Sequence, residues 1–253
     1  MDIPVLHDEA YGTAVCIAAA FTNYLKRTGK DSTETRTALI GSGATAHATT
    51  QLLGSGILHI ESTEKAEATA ISGYDFIICT DKQLSPATSF FERTAPDAAI
   101  IILSPFCDYD TLKKAYPRAT LLTGNILRPG YIDSILASPY IFRGALDTLS
   151  TSINCAMMKA AAESLASLAA ESRDVSLLPK YNDTRLATGM SVAVAQAAIS
   201  SGVARLNITN WEEYRQTLLS RLERIYNMTG HIKHYGNSNH RLHRRYTRAA
   251  PEY

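Results

Sequence analysis

The sequence predicts an α/β fold: a Rossmann-like, doubly wound parallel sheet with additional C-terminal helices. Two observations predict it. Five short apolar runs recur about every 20 residues between Thr37 and Thr123, separated by helix-length segments, the pattern of βαβ units. Beyond Pro139 the pattern changes, and apolar residues recur only at helical spacing.

The elements follow in order. Residues 11–28 read as a helix, with Ala14, Ile17, Ala18, Phe21 and Leu25 on one face and Gly29-Lys30-Asp31 as its stop. The apolar runs are Thr37–Ile40, Ile57–Ile60, Asp75–Cys79, Ala98–Leu103 and Ala119–Thr123. The unbroken AAIIIL of the fourth suits a central strand buried on both faces. Ile153, Met157, Ala161, Leu165 and Leu168 make one helical stripe, and Leu186, Met190, Val194 and Ala197 a second that Ser201-Gly202 closes. A third helix begins at Asn210, with Glu213 three residues on in the manner of a capping box, and presents Tyr214, Leu218, Leu222 and Ile225. These stripes are read as core. The chain is divided into a domain, 1–226, and a tail, 227–253.

The formal charge of +1 hides an asymmetry. The tail holds Lys233, Arg241, Arg244, Arg245 and Arg248 against Glu252 alone, with His231, His234, His240 and His243, so the preceding body is mildly acidic. HRLHRRYTR has the charge to contact phosphates. More often such a segment is a solvated end or an arm on a neighbouring subunit, and nucleic acid is the lesser reading. The four cysteines, Cys16, Cys79, Cys107 and Cys155, form no C-x-x-C pair and suggest neither a disulfide framework nor a zinc site. No apolar run approaches the roughly 18 residues needed to span a bilayer, and no basic-then-apolar leader opens the chain. The expectation is a cytoplasmic protein without a membrane role.

The chemistry centres on Gly41-Ser42-Gly43-Ala44-Thr45-Ala46, a G-x-G-x-x-A between a strand and a helix. Such glycines permit a tight turn and let the backbone approach a pyrophosphate, whose charge meets the amides at the helix start. Glu61, 20 residues past Gly41 and at the end of the next strand, suits hydrogen bonds from the adenosine ribose hydroxyls. An acid there disfavours a 2′-phosphate, so NAD is expected over NADP. Thr80 and Ser104, just past the third and fourth runs, complete the cofactor-binding set. The alternative is a tight turn in a domain that binds nothing. His47 is read as a surface residue.

PVLHDEAYGTA, the glycine loop and SPYIFRGALD together resemble the malic enzymes. In their cofactor-binding C-terminal domain an acid pair precedes G-T-A, a glycine loop follows, and then a proline leads into I-F-R-G-A-L-D. Here these are Asp8-Glu9 before Gly12-Thr13-Ala14, then Gly41 to Ala46, then Pro139 with Ile141 to Asp147. Leu177 to Lys180 and Val192 to Ala204 also look family-like, and the resemblance runs from about residue 4 to residue 226.

That resemblance implies a nicotinamide-dependent oxidoreductase with Mg or Mn, usually oligomeric. It makes Asp8 and Glu9 metal candidates, and it implies that two further metal ligands, a tyrosine acid and a lysine base come from an N-terminal half that this sequence lacks. Departures argue against malate as the substrate. The pair's second acid is usually Asp; here it is Glu9. The Asn-Pro expected after the fourth strand is replaced at Ser104-Pro105-Phe106. Two adjacent asparagines that reach cofactor and substrate are matched by Asp133 and Ser134. With Tyr131, these two are the catalytic candidates of this chain, acting on a small molecule the sequence does not name. For Asp8 and Glu9 the plainer reading is a pair of acids favoured by a helix start; for Arg143 it is an ion pair with Asp147. The expectation is an oxidoreductase, or one half of one completed by a homo-oligomer or a partner chain. The alternative is a non-catalytic nucleotide-binding or assembly module.

Overall fold

The computed structural model describes residues 3–61, 73–81, 91–92, 94–171 and 176–224. Among the described residues five strands form one parallel sheet: β1 (Thr37–Ile40), β2 (Ile57–Ile60), β3 (Phe76–Cys79), β4 (Ala99–Ile102) and β5 (Thr120–Thr123). Their order is β2-β1-β3-β4-β5. Every apolar run is a strand, the last three slightly shorter than their runs.

Side chains alternate across a strand, and the sheet uses both faces. Leu39, Phe76, Ile78, Ile101 and Leu122 join a core with the first and the C-terminal helices. Ala38, Ile40, Ile77, Ile100 and Leu121 join a second core on the opposite face, with Phe91 and Leu112. This is why β1, β3 and β4 are buried at every position and carry no polar alternation.

Helix α1 (Asp8–Thr28) begins three residues before the expected start at residue 11, because His7 Nδ1 accepts the Ala10 amide at 3.3 Å and caps it. Gly29 closes it, its amide on the Leu25 carbonyl at 2.9 Å. The stripe suggested one buried face. The structure instead buries nine consecutive residues, Gly12 to Ala20, as expected of a helix apolar all round. Their small side chains let the sheet and other helices close on α1 from several sides. Asn23, also buried, donates from Nδ2 to the carbonyls of Ala166 and Leu177, each at 2.9 Å.

The other elements among the described residues of this unit are α2 (Ala44–Leu53), α3 (Tyr109–Ala115), a 3₁₀ turn (Ser134–Leu136), α4 (Ser138–Asp147), α5 (Cys155–Ala170) and α6 (Arg185–Ser200). Met157, Ala161 and Leu165 on α5, and Leu186, Met190 and Val194 on α6, are buried core as read. The second unit, Thr209–Tyr253, contains a helix over residues 211–224. Asn210 Oδ1 accepts the Glu213 amide at 3.1 Å, the expected cap. Residues 227–253 lie outside the described residues.

Before α6, Arg185 Nη2 meets Asp183 Oδ2 at 2.7 Å and holds the Asp183 carboxyl below the usual carboxylate range. A carboxyl whose folded pKa is depressed stabilises the fold above its unfolded pKa of about 3.9, and that contribution is lost as pH falls through the folded value. Asp183→Asn is therefore expected to lower the thermal midpoint at pH 7, with a smaller gap to the parent at a pH below the ordinary carboxylate value of about 3.9. Melting curves at both pH values check this; a gap of equal size at each would refute it.

Candidate functional site

The glycine loop leaves the C-terminal end of β1, where the chain order reverses between β1 and β3. Open α/β sheets bind ligands at such switch points. Gly41 is buried and pinned: its amide donates to the Ile60 carbonyl at 2.8 Å, and a Cβ there would collide with Thr80 Oγ1. Gly43 has φ 89° and ψ −168°, a region left almost entirely to glycine, and a Cβ there would meet nothing within 4 Å. Gly43 is also the N-cap of α2 and supplies no side-chain cap. The amides of Ser42 and Gly43 have no hydrogen-bond partner among the described residues. Ala46 is fully buried, so α2 packs closely on the sheet. The loop therefore offers unpartnered donors to open space at a helix start, and the residues present fit a pyrophosphate.

Glu61, Thr80 and Ser104 follow the ends of β2, β3 and β4, so the sheet carries the whole predicted cofactor set to one edge. Glu61 is exposed. Thr80 is buried and its Oγ1 donates to the Ile40 carbonyl at 3.3 Å. Ser104 is fully buried and its Oγ accepts the Phe106 amide at 3.3 Å. These two side chains shape the ends of the strands.

A second group gathers at the start of α1. A Cβ on Gly12 would strike Ser138 Oγ, which donates to the Asp8 carbonyl at 2.9 Å. Cys16 Sγ approaches the Asp133 carbonyl at 3.3 Å, and burial pushes the Cys16 thiol pKa well up. Asp8 is thus tied through its backbone to the start of α4, while Ser134 lies against Gly12 and Asp133 against Cys16, one and two turns further along α1. Asp8 Oδ1 accepts the Glu9 amide at 2.8 Å. Asp133 Oδ1 accepts the Ile135 amide at 3.1 Å, capping the 3₁₀ turn, and the Ser134 hydroxyl at 3.3 Å. Among the described residues no three His, Cys, Asp or Glu side chains are grouped to hold a metal. Arg143 pairs with Asp147 at 2.7 Å across one helical turn.

Tyr131 stands apart from the phosphate loop but not from the second group: burial raises its phenol pKa, and nearby Asp133 and Cys16 add to that rise. It bridges Thr123 at the outer edge of β5, and its ring meets Tyr181 edge-on at 6.1 Å. Both line a groove of about 1180 Å³ beside β5, with Arg27, Lys113 and Lys180. No residue of the phosphate loop lines that groove.

The chain is 31% identical over 89% of its length to the NADP-dependent malic enzyme of Rhizobium meliloti, and 30% identical over 92% to the NAD-dependent malic enzyme of that organism. The crystal structure of malic enzyme from Pyrococcus horikoshii superposes with a TM-score of 0.78 at 25% identity, covering 92% of this chain and 63% of that one. The chain is a partial-length relative of the malic enzymes. It spans 36% of each of the two Rhizobium meliloti proteins. No family model matches it. Cofactor names differ between these malic enzymes, one NADP-dependent and one NAD-dependent. The malic-enzyme-like segment SPYIFRGALD spans α4 in full.

Sequence reasoning missed one residue at the loop. His59 Nε2 lies 2.8 Å from the Gly41 carbonyl. Its place in β2, two residues before Glu61, was in view, but nothing in strand periodicity tells that its ring turns toward β1.

Proposed function

We propose that this chain binds NAD at the C-terminal edge of the sheet and serves as the cofactor half of an oxidoreductase of malic-enzyme ancestry. One observation carries the reading: a glycine loop at the β1/β3 switch point with unpartnered amides facing open space. When bound, the nicotinamide would supply hydride transfer. The chain's own part is to hold the pyrophosphate on the Ser42 and Gly43 amides, to hold the adenosine ribose at Glu61, and to shape the floor with Thr80 and Ser104. Asp8 and Glu9 open α1, and Asp133 and Ser134 begin the 3₁₀ turn that packs against that helix at Cys16 and Gly12. Asp8 and Glu9 give too few ligands for a hard divalent cation, which takes six or more oxygens. A metal there requires ligands from beyond the described residues. A second copy or a partner chain would supply them together with an acid and a base for the substrate. Decarboxylation of malate by this chain alone is not part of the proposal.

The second reading, a non-catalytic nucleotide-binding module, draws support from Asp133 and Ser134, whose side chains are engaged in capping a turn. Among the described residues no helix is long and apolar enough to cross a membrane; we place the protein in the cytoplasm.

Calorimetric titration with NAD and NADH, with and without Mg or Mn, tests both. Binding that tightens with metal supports a composite catalytic site. Binding indifferent to metal supports the module or a metal-free oxidoreductase. No binding overturns the cofactor assignment. Glu61→Ala is expected to weaken NAD by about 1–2 kcal/mol through lost ribose hydrogen bonds. The same titration checks it, and unchanged affinity would mean that the acid points elsewhere.

A further inference from the structure

The Gly41 peptide is held from both ends by the neighbouring strand. Its amide donates to the Ile60 carbonyl at 2.8 Å, and its carbonyl lies 2.8 Å from His59 Nε2. A carbonyl only accepts, so Nε2 carries the proton and donates. The Gly41–Ser42 peptide is planar and trans, so its C=O and N–H point in opposite directions. Fixing the Gly41 carbonyl therefore fixes the Ser42 amide, one of the two loop donors without a partner.

We propose that His59 is a positioning residue for the phosphate loop: its Nε2–H holds the Gly41 carbonyl and, through the rigid peptide, aims the Ser42 amide at a pyrophosphate. This rests on the cofactor reading above and adds a side chain that touches no part of the cofactor. The loop's own glycines cannot do this work. Their backbone freedom, which permits the turn, also lets the peptide between them rotate, and a hydrogen bond from the adjacent strand removes that freedom before the ligand arrives.

The test compares the full chain with His59→Leu and with His59→Gln, which keeps an N–H donor at similar reach. Two measurements are made: the Ser42 amide resonance of ¹⁵N-labelled protein without ligand, and the affinity for ADP-ribose as a pyrophosphate-bearing probe. The expected result is a displaced Ser42 resonance and at least threefold weaker ADP-ribose binding in His59→Leu, with both largely restored in His59→Gln. An unmoved Ser42 resonance in His59→Leu overturns the proposal, as does equal behaviour of the two variants. Failure of the parent to bind ADP-ribose overturns the cofactor reading and the pyrophosphate role with it. In that case the Ser42 resonance still reports whether His59 holds the loop.

Discussion

Gly43→Asp is expected to weaken NAD binding by roughly two orders of magnitude while the fold survives. A carboxylate about 4–5 Å from a pyrophosphate, at an effective dielectric near 20, repels it by about 3–4 kcal/mol. The position tolerates the side chain sterically, since a Cβ there meets nothing within 4 Å. It does not tolerate the backbone for free: φ 89° with ψ −168° costs a non-glycine residue roughly 1–3 kcal/mol. Gly43→Ala separates the two effects, because it shares the strain and lacks the charge. Calorimetry and thermal unfolding of both variants check the expectation. If the Asp variant binds NAD as the Ala variant does, the pyrophosphate does not lie on this loop.

Gly144→Ala is expected to damage the fold rather than the loop. Gly144 lies in α4, inside the segment IFRGALD, where α4 crosses α6. A Cβ there would sit 2.7 Å from the Ser191 carbonyl oxygen and 2.8 Å from Val194 Cβ. Neither neighbour is the end of a flexible chain, so the helices must separate. Overpacking of this kind costs about 1–3 kcal/mol. For a unit of this size that is roughly 3–10 °C in the thermal midpoint. An unchanged midpoint would show that the α4–α6 crossing is looser than the structure places it.

Much of the fold was legible because burial leaves a period in the sequence. The strands β1, β3 and β4 are buried on both faces, so their runs are unbroken, and α5 and α6 bury one stripe each. The end of α1 was readable from Gly29. Its beginning was not, because a histidine cap is an uncommon signal and the acids after it also suited a metal. The all-round burial of α1 was hidden as well, since a run of alanines reads alike whether one face or every face is covered. At the candidate site, the glycine loop was legible because positive φ at Gly41 and Gly43 restricts which residues can stand there, and the place of Glu61 just past β2 followed from the strand pattern. The separation of Tyr131 from the loop was not, because it depends on which side of β5 a connecting segment passes. His59 escaped for the same reason: its partner is a carbonyl 18 residues away, and any residue type at Gly41 would present one.

The two carbonyls that Asn23 holds belong to Ala166 and Leu177, 143 and 154 residues later. At a synthesis rate of about 5–20 residues per second, α1 therefore waits roughly 7–30 s on the ribosome for these partners. During that interval β1 to β5 emerge and can pair, whereas a helix buried on nearly every side has only part of its surroundings. Assembly of this protein should accordingly end with α5 and α6 closing over α1. Nascent chains halted before residue 155 would then present an apolar α1 to chaperones, and chains released with α6 complete would not.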